Sequence, residues 1–298
     1  MRLNSSLAAL FLPFALAAGP ALAQTAPAIP SSVADNWRRY PDASEVQLRD
    51  VAALVRIVPQ DRADVAVAIT NPGPLADPEI RISSNRLIID GKQRRQIRSC
   101  QVRDQALEVV TRREGRLQND QLPLIEIRMP RAAVVHAGGA LRLHLGEAET
   151  ANVRFNGCGD ADLVRVAGAA DVAVSGAADL RLYDAGAASV SVAGAGDVVI
   201  GVVRNGLTLS VAGAGDIVAA RADGPTSVAV QGAGDITIRD GRGTTMSVAI
   251  AGAGDVTHNG SAQTLDVVIL GGGGVRVREV TGEVTRRVLG GGDVTVGR

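Results

Sequence analysis

The 298 residues carry 31 basic and 31 acidic side chains, a formal net charge of zero that offers no steering toward nucleic acid or an acidic surface. Aromatic residues are 2% of the chain against 35 glycines, which excludes a core built around rings and suits narrow layers of Val, Ile, Leu and Ala. Beyond the N-terminal leader no apolar run approaches the ~18 residues of a membrane helix, so no transmembrane segment is expected there.

Arg2 supplies a positive start, an apolar run extends from Leu7 to Ala18, and Ala21-Leu22-Ala23 gives a small-x-small site before Gln24. Residues 1–23 therefore read as a secretory signal peptide, which implies a periplasmic or extracellular location. No Cys sits at the cleavage point to take a lipid anchor. Residues 24–43 form a leader; a short helix is expected near Ala34–Tyr40, placed to cap the N-terminal end of the strand-rich region beyond it. From 44 to 298 no second domain is apparent. Early apolar stretches, Val65–Ile69, Ile80–Ile82, Leu87–Gly91 and Leu124–Pro130, read as strands.

Cys100 and Cys158 are the only cysteines, in a compartment that permits disulfides. In a stacked architecture they would lie about three coils apart, roughly 14 Å at ~4.8 Å per layer. A disulfide needs Cα atoms within about 7 Å. A bond therefore requires the chain to leave the stack near Cys100, and the polar stretch Gly91–Arg98 is the candidate for such an excursion.

The second half is repetitive. Gly-Ala-Gly-Asp ends at Asp197, Asp216, Asp235 and Asp255; a degenerate copy puts Gly274 in the Asp place, and Gly-Gly-Gly-Asp ends at Asp293. Asp179 and Asp160 extend the series backwards, every step being 18, 19 or 20 residues. Apolar residues alternate before each motif, as in Val190/Val192 and Leu209/Val211, and again after it, as in Val198/Ile200 and Ile217/Ala219. Period two means strands with one buried face. A second turn recurs once per coil, as in Asn205-Gly206 and Asp240-Gly241. Such a unit buries its apolar face only by stacking on its neighbours. The fold expected is all-β: a single-stranded parallel β-helix with coils of about 19 residues. An antiparallel meander would not hold one motif at constant phase, and a propeller blade needs about twice the length.

The order of these motifs resembles the GIN-domain family, the heads of auto-transporter adhesins. The matching residues are the strand ending in Asp90-Gly91, the strand running into Pro130, the first Gly-x-Gly-Asp at 157–160, the repeated corners, and Gly252–Gly260, where His258 replaces an aromatic usual in the family. The resemblance spans residues 45–295. It implies a right-handed β-helix and an extracytoplasmic setting, and it assigns no functional residue.

Chemistry is sparse. Asp160, Asp179, Asp197, Asp216, Asp235, Asp255 and Asp293 should form a column at one edge. Calcium takes several oxygen ligands, but calcium β-helix repeats use a nine-residue unit; the alternative is a structural hydrogen bond at corners whose glycines adopt positive φ. Asp160 and Asp162 are spaced to share one strand face, with Asp171 nearby in sequence, a carboxylate set compatible with glycoside hydrolysis. His136 and His144 could share a face, although Gly138-Gly139 suggests a turn between them; His258 falls on an inward position. No cofactor or metal is expected. The outward positions change from small residues to Val268, Leu270 and Leu289 toward the C-terminal end, where a contact patch for a partner or a second copy is expected. The reading is an exported, non-enzymatic scaffold or adhesin-like interaction module of the bacterial envelope, with a protein or polysaccharide ligand. A polysaccharide-processing lyase or hydrolase is the alternative.

Overall fold

The structure, a computed structural model, describes residues 36–103 and 106–297. The signal peptide expected at residues 1–23 and most of the expected leader lie outside the described residues, as does Arg298. The architecture is a β-solenoid of about nine turns with coils about 19 residues apart.

Register carries the architecture. Ala132–Leu145 pairs in parallel with Thr150–Leu163, which pairs in parallel with Val166–Gly194. From there two parallel ladders climb the stack. One joins Val190 to Leu209, Val228, Val248 and Val267. The other joins Leu180 to Val198, Ile217, Ile236, Val256, Val275 and Val294. Their inward members are buried, as Val211, Ile217 and Ile236 are completely. Each such side chain contributes about 1.5–3 kcal/mol on leaving water. The single 20-residue step is absorbed by a bulge: the register passes from Gly224↔Gly243 to Thr226↔Met246, so the extra residue bulges out and the apolar columns stay in phase.

The expected positive φ accounts for only some of the corner glycines. Gly194 and Gly290 do have positive φ, 155° and 152°. Gly213, Gly232, Gly252 and Gly271 do not lie in that region. What selects glycine there is the coil below: a Cβ on Gly213 would lie 2.1 Å from the Gly194 carbonyl oxygen. Backbones stack against backbones at these corners.

The N-terminal end departs from simple winding. Glu45–Gln60 lies between Ala132–Leu145 on one side and, on the other, Arg86–Asp90 and Leu124–Pro130. Those two strands together form the outermost parallel layer. Antiparallel strands then close the end: Glu79–Ser83 on Arg86–Asp90, Val65–Thr70 on Leu124–Pro130, and Arg38–Tyr40 on Val65–Thr70. Where the helix expected over Ala34–Tyr40 is described, Asn36 and Trp37 are irregular and Arg38–Tyr40 is a strand. An open sheet edge there takes up a strand's N–H and C=O groups, and the exposed Arg38 and Arg39 make the new edge a poor template for further pairing.

Between Asp90 and Leu124 the chain leaves the stack as a flap. Its strands Ile97–Arg103, Ala106–Thr111 and Arg116–Leu117 form a separate three-stranded antiparallel sheet. Leu107, Val109, Leu117 and Leu122 pack on Ala52, Leu54 and Ala140 of the coils in a second, smaller core. A disulfide joins Cys100 of the flap to Cys158 of the stack, with Cα atoms 6.1 Å apart. The excursion that removes the three-coil distance is larger than Gly91–Arg98: it runs the full length of the flap.

Candidate functional site: an aspartate ladder, a covered ionic cluster and an open cleft

The corner aspartates make a ladder along the stack. Asp179 Oδ1 accepts the backbone N–H of Asp197 at 3.1 Å; Asp197 accepts that of Asp216 at 3.0 Å; Asp216 that of Asp235 at 2.8 Å. Asp235 accepts from Asp255 at 2.8 Å and Asp255 from Gly274 at 2.6 Å. Each carboxylate thus satisfies a donor in the next coil that the corner leaves out of the strand ladders. Gly274 can occupy the Asp phase because it need only donate; lacking a carboxylate, it offers nothing to Asp293.

Asp160 is in phase with Asp179 but does not belong to this ladder. It is buried, as are Asp162 and Arg142, because the flap packs beside this face of the coils. Asp160 Oδ2 lies 3.5 Å from Arg142 Nε and 3.8 Å from Arg181 Nη1. Asp162 lies 3.6 Å from Arg181 Nη1 and 4.0 Å from Arg142 Nη2. The Oδ1 atoms of both carboxylates have no hydrogen-bond partner. Burial pushes the Asp160 carboxyl up to about 6, with Asp162 adding to the rise and Arg142 and Arg181 opposing it. The pair shares one strand face, but both carboxylates are buried and face two guanidinium groups. Asp171 is not brought to it; its partner is Arg154, 3.4 Å away on another face.

The histidines serve three different places. His136 and His144 lie on one continuous strand, Ala132–Leu145, with the Gly138-Gly139 pair at a bend in it. His144 stands in register with Asp162 and Arg56, and burial holds it below the usual imidazole range. His258 is buried in an inward column, its Nε2 3.5 Å from the Ser261 carbonyl, and burial lowers it too. His136 faces a surface cleft of about 670 Å³ lined by Gln47, Arg49, Arg94, Arg154, Asn156 and Ser175, among others. Sequence patterning did not point to this cleft. The one signal it offered was that His136 and Arg154 are one coil apart in phase.

At the C-terminal end Leu270 and Leu289 are 55% and 62% exposed, and Val284 and Val288 are exposed beside them in sequence. Val268 is half-buried and lines a small groove of about 90 Å³ with Leu270.

Stacked glycine corners, two parallel ladders and a clipped flap define the class of the chain as a parallel β-solenoid. Residues 202–297 match the family described as "Putative auto-transporter adhesin, head GIN domain", which places the GIN resemblance in that stretch. A solved "Putative lipid binding protein" from Parabacteroides distasonis ATCC 8503 is similar in fold, with 16% identity, 88% of this chain and 96% of that chain covered, and a TM-score of 0.54. Two solved putative adhesins also align. One, from the same organism, is 14% identical over 87% of this chain and 95% of that one, with a TM-score of 0.49. The other, from Bacteroides fragilis NCTC 9343, is 16% identical over 87% and 95%, with a TM-score of 0.40. No curated protein matches the chain.

Proposed function

We propose that this chain is an exported, non-enzymatic β-helical scaffold or adhesin-like module of the bacterial cell envelope that binds a surface ligand. The observation that carries the reading is the state of Asp160 and Asp162. The carboxylates spaced for acid–base work are buried and held between Arg142 and Arg181, whereas the open surface is long, regular and built for contact. The signal-like residues 1–23 and the Cys100–Cys158 bond support an extracytoplasmic setting. The exposed Leu270 and Leu289 support contact with a second copy at the C-terminal end.

The test is a screen of the purified protein against envelope and plant polysaccharides, scored for both binding and cleavage. Binding without turnover is expected. Turnover lost in Asp160→Asn or Asp162→Asn would overturn the reading in favour of a polysaccharide-processing enzyme.

A further inference from the structure

The cleft around His136 is built by a local irregularity of the stack. Along Glu45–Gln60 and Ala132–Leu145 the register runs His136↔Gln47 and Ala137↔Leu48, then jumps to Gly139↔Val51. Arg49 and Asp50 thus stand opposite the single residue Gly138, and Asp50 takes a φ of 51° that a non-glycine residue adopts at a cost. The flap departs over this bulge. Gly91 N–H donates to the Arg49 carbonyl at 2.9 Å and Gln93 N–H to the Asp50 carbonyl at 2.8 Å. These bonds carry Arg94 to the rim of the cleft.

Three arginines, Arg49, Arg94 and Arg154, and one carboxylate, Asp50, line the cleft, so the cations outnumber the acid among its lining residues. Arg49 is engaged by Asp90 through two side-chain hydrogen bonds. Arg154 meets Asp171 at 3.4 Å, but both side chains are about half exposed, 48% and 51%, so the pair is weak. Arg94 enters no ion pair among the described residues and is exposed. His136 lies below the ordinary imidazole range, first through burial and then through Arg86 and Arg154; Glu45 opposes this. That Glu45 carboxylate is itself tied to Asn85 and Arg86. The lowering favours the neutral imidazole, which can both donate and accept. Gln47, Asn156 and Ser175 add neutral polar groups beside the three guanidinium groups.

We propose that this cleft binds a carboxylate-bearing saccharide, with Arg94 and Arg154 taking the carboxylate and His136, Gln47, Asn156 and Ser175 meeting the hydroxyls. Planar guanidinium forks match carboxylates in two-pronged geometry. Of Phe, Tyr and Trp the cleft is lined only by Phe155, which is 1% exposed and so offers no platform on which a neutral sugar could stack. A lipid surface fits less well, because none of the exposed large apolar residues, Ile82, Val199, Leu270, Val284, Val288 and Leu289, lines it. Arg94 is held on a flap clipped by the Cys100–Cys158 bond, which reduces the ordering cost of recruiting it.

The proposal rests on the reading of the chain as a ligand-binding module. It is tested by titration calorimetry of the full chain with three probes: oligogalacturonate, the uncharged maltohexaose, and phosphatidylglycerol vesicles. The variants are Arg94→Gln, Arg154→Gln, the double variant, and Arg276→Gln as a surface control away from the cleft. Oligogalacturonate alone should bind, more weakly as salt rises. Each cleft variant should lose about tenfold in affinity, as expected for one charge-assisted contact, and Arg276→Gln should behave as wild type. Full binding by a folded double variant overturns the cleft while leaving the module reading intact. Binding to maltohexaose alone, to vesicles alone, or to no probe overturns the saccharide assignment. Cleavage of oligogalacturonate would instead strike at the module reading.

Discussion

The backbone N–H of Gly274 donates to the side chain of Asp255 one coil earlier, 2.6 Å away, and so ends a ladder in which every earlier acceptor is an aspartate. Since the rung needs an acceptor and not a charge, Asp216→Asn should retain much of the stability that Asp216→Ala loses. The expected loss for alanine is about 1 kcal/mol in chemical denaturation. Each ladder carboxylate already serves a backbone donor, so the melting temperature should be the same in chelator and in millimolar calcium. A large calcium-dependent rise would mean that the native state binds the ion.

Two corner glycines three coils apart should respond differently to the same substitution. A Cβ at Gly213 would sit 2.1 Å from the Gly194 carbonyl oxygen, whereas one at Gly272 would meet nothing within 4 Å. Gly213→Ala should force two coils apart and cost about 3 kcal/mol or more. Gly272→Ala should be close to neutral. Equal effects in denaturation curves would refute backbone stacking as the reason for the glycine column.

Reduction of the Cys100–Cys158 bond should loosen the flap before the solenoid. The flap forms a sheet separate from that of the solenoid, and the closed loop spans 58 residues, for which the chain-entropy relation gives about 4 kcal/mol. In hydrogen exchange the amides of Leu107 and Val109 should lose protection in Cys100→Ser, while those of Val211 and Val230 keep theirs. Uniform loss throughout the chain would show that flap and stack unfold as one unit.

Asp160 should make stability fall as pH rises. Its folded value of about 6 lies above the ordinary 3.8, so the native state binds more protons between those values. Below pH 4 both states are protonated and no penalty exists; above pH 6 the full penalty applies, on the order of 3 kcal/mol. His136, His144 and His258 act oppositely: their lowered values cost stability as pH falls below about 6.5, where the unfolded state takes up protons first. The informative quantity is therefore the difference between wild type and Asp160→Asn from pH 4 to 7. A difference that does not change with pH would rule out a proton-linked role for Asp160.

Light scattering tests the C-terminal contact. Wild type should self-associate at high micromolar concentration, and Leu270→Lys/Leu289→Lys should be monomeric. A monomeric wild type would end the self-association reading and leave only docking to a foreign partner.

Much of the stack was legible because its constraint repeats. Val190, Leu209 and Val228 recur at one phase, and a solenoid admits one direction and one step for them. The same regularity hid the exceptions. Asp160 looks identical to Asp179 by spacing, yet only Asp160 is buried with Asp162 and Arg142, since the flap packs beside its coil and not the next. Arg38–Tyr40 read as a helix because nothing local reveals that a sheet edge waits for it. Arg94 is one surface arginine among many until the bulge at Asp50 fixes the path of the flap beside His136 and Arg154.

The amino-acid sequence by itself determined the coil length, the inward Val and Ile columns, the glycine corners and the phase of the aspartates, because each depends on contacts between residues a constant step apart. Tertiary structure alone decided which carboxylates are solvated and which are enclosed, how Cys100 reaches Cys158, and which cations share a cleft. Those outcomes depend on where a non-repeating flap of the chain comes to rest, and no periodic pattern encodes that position.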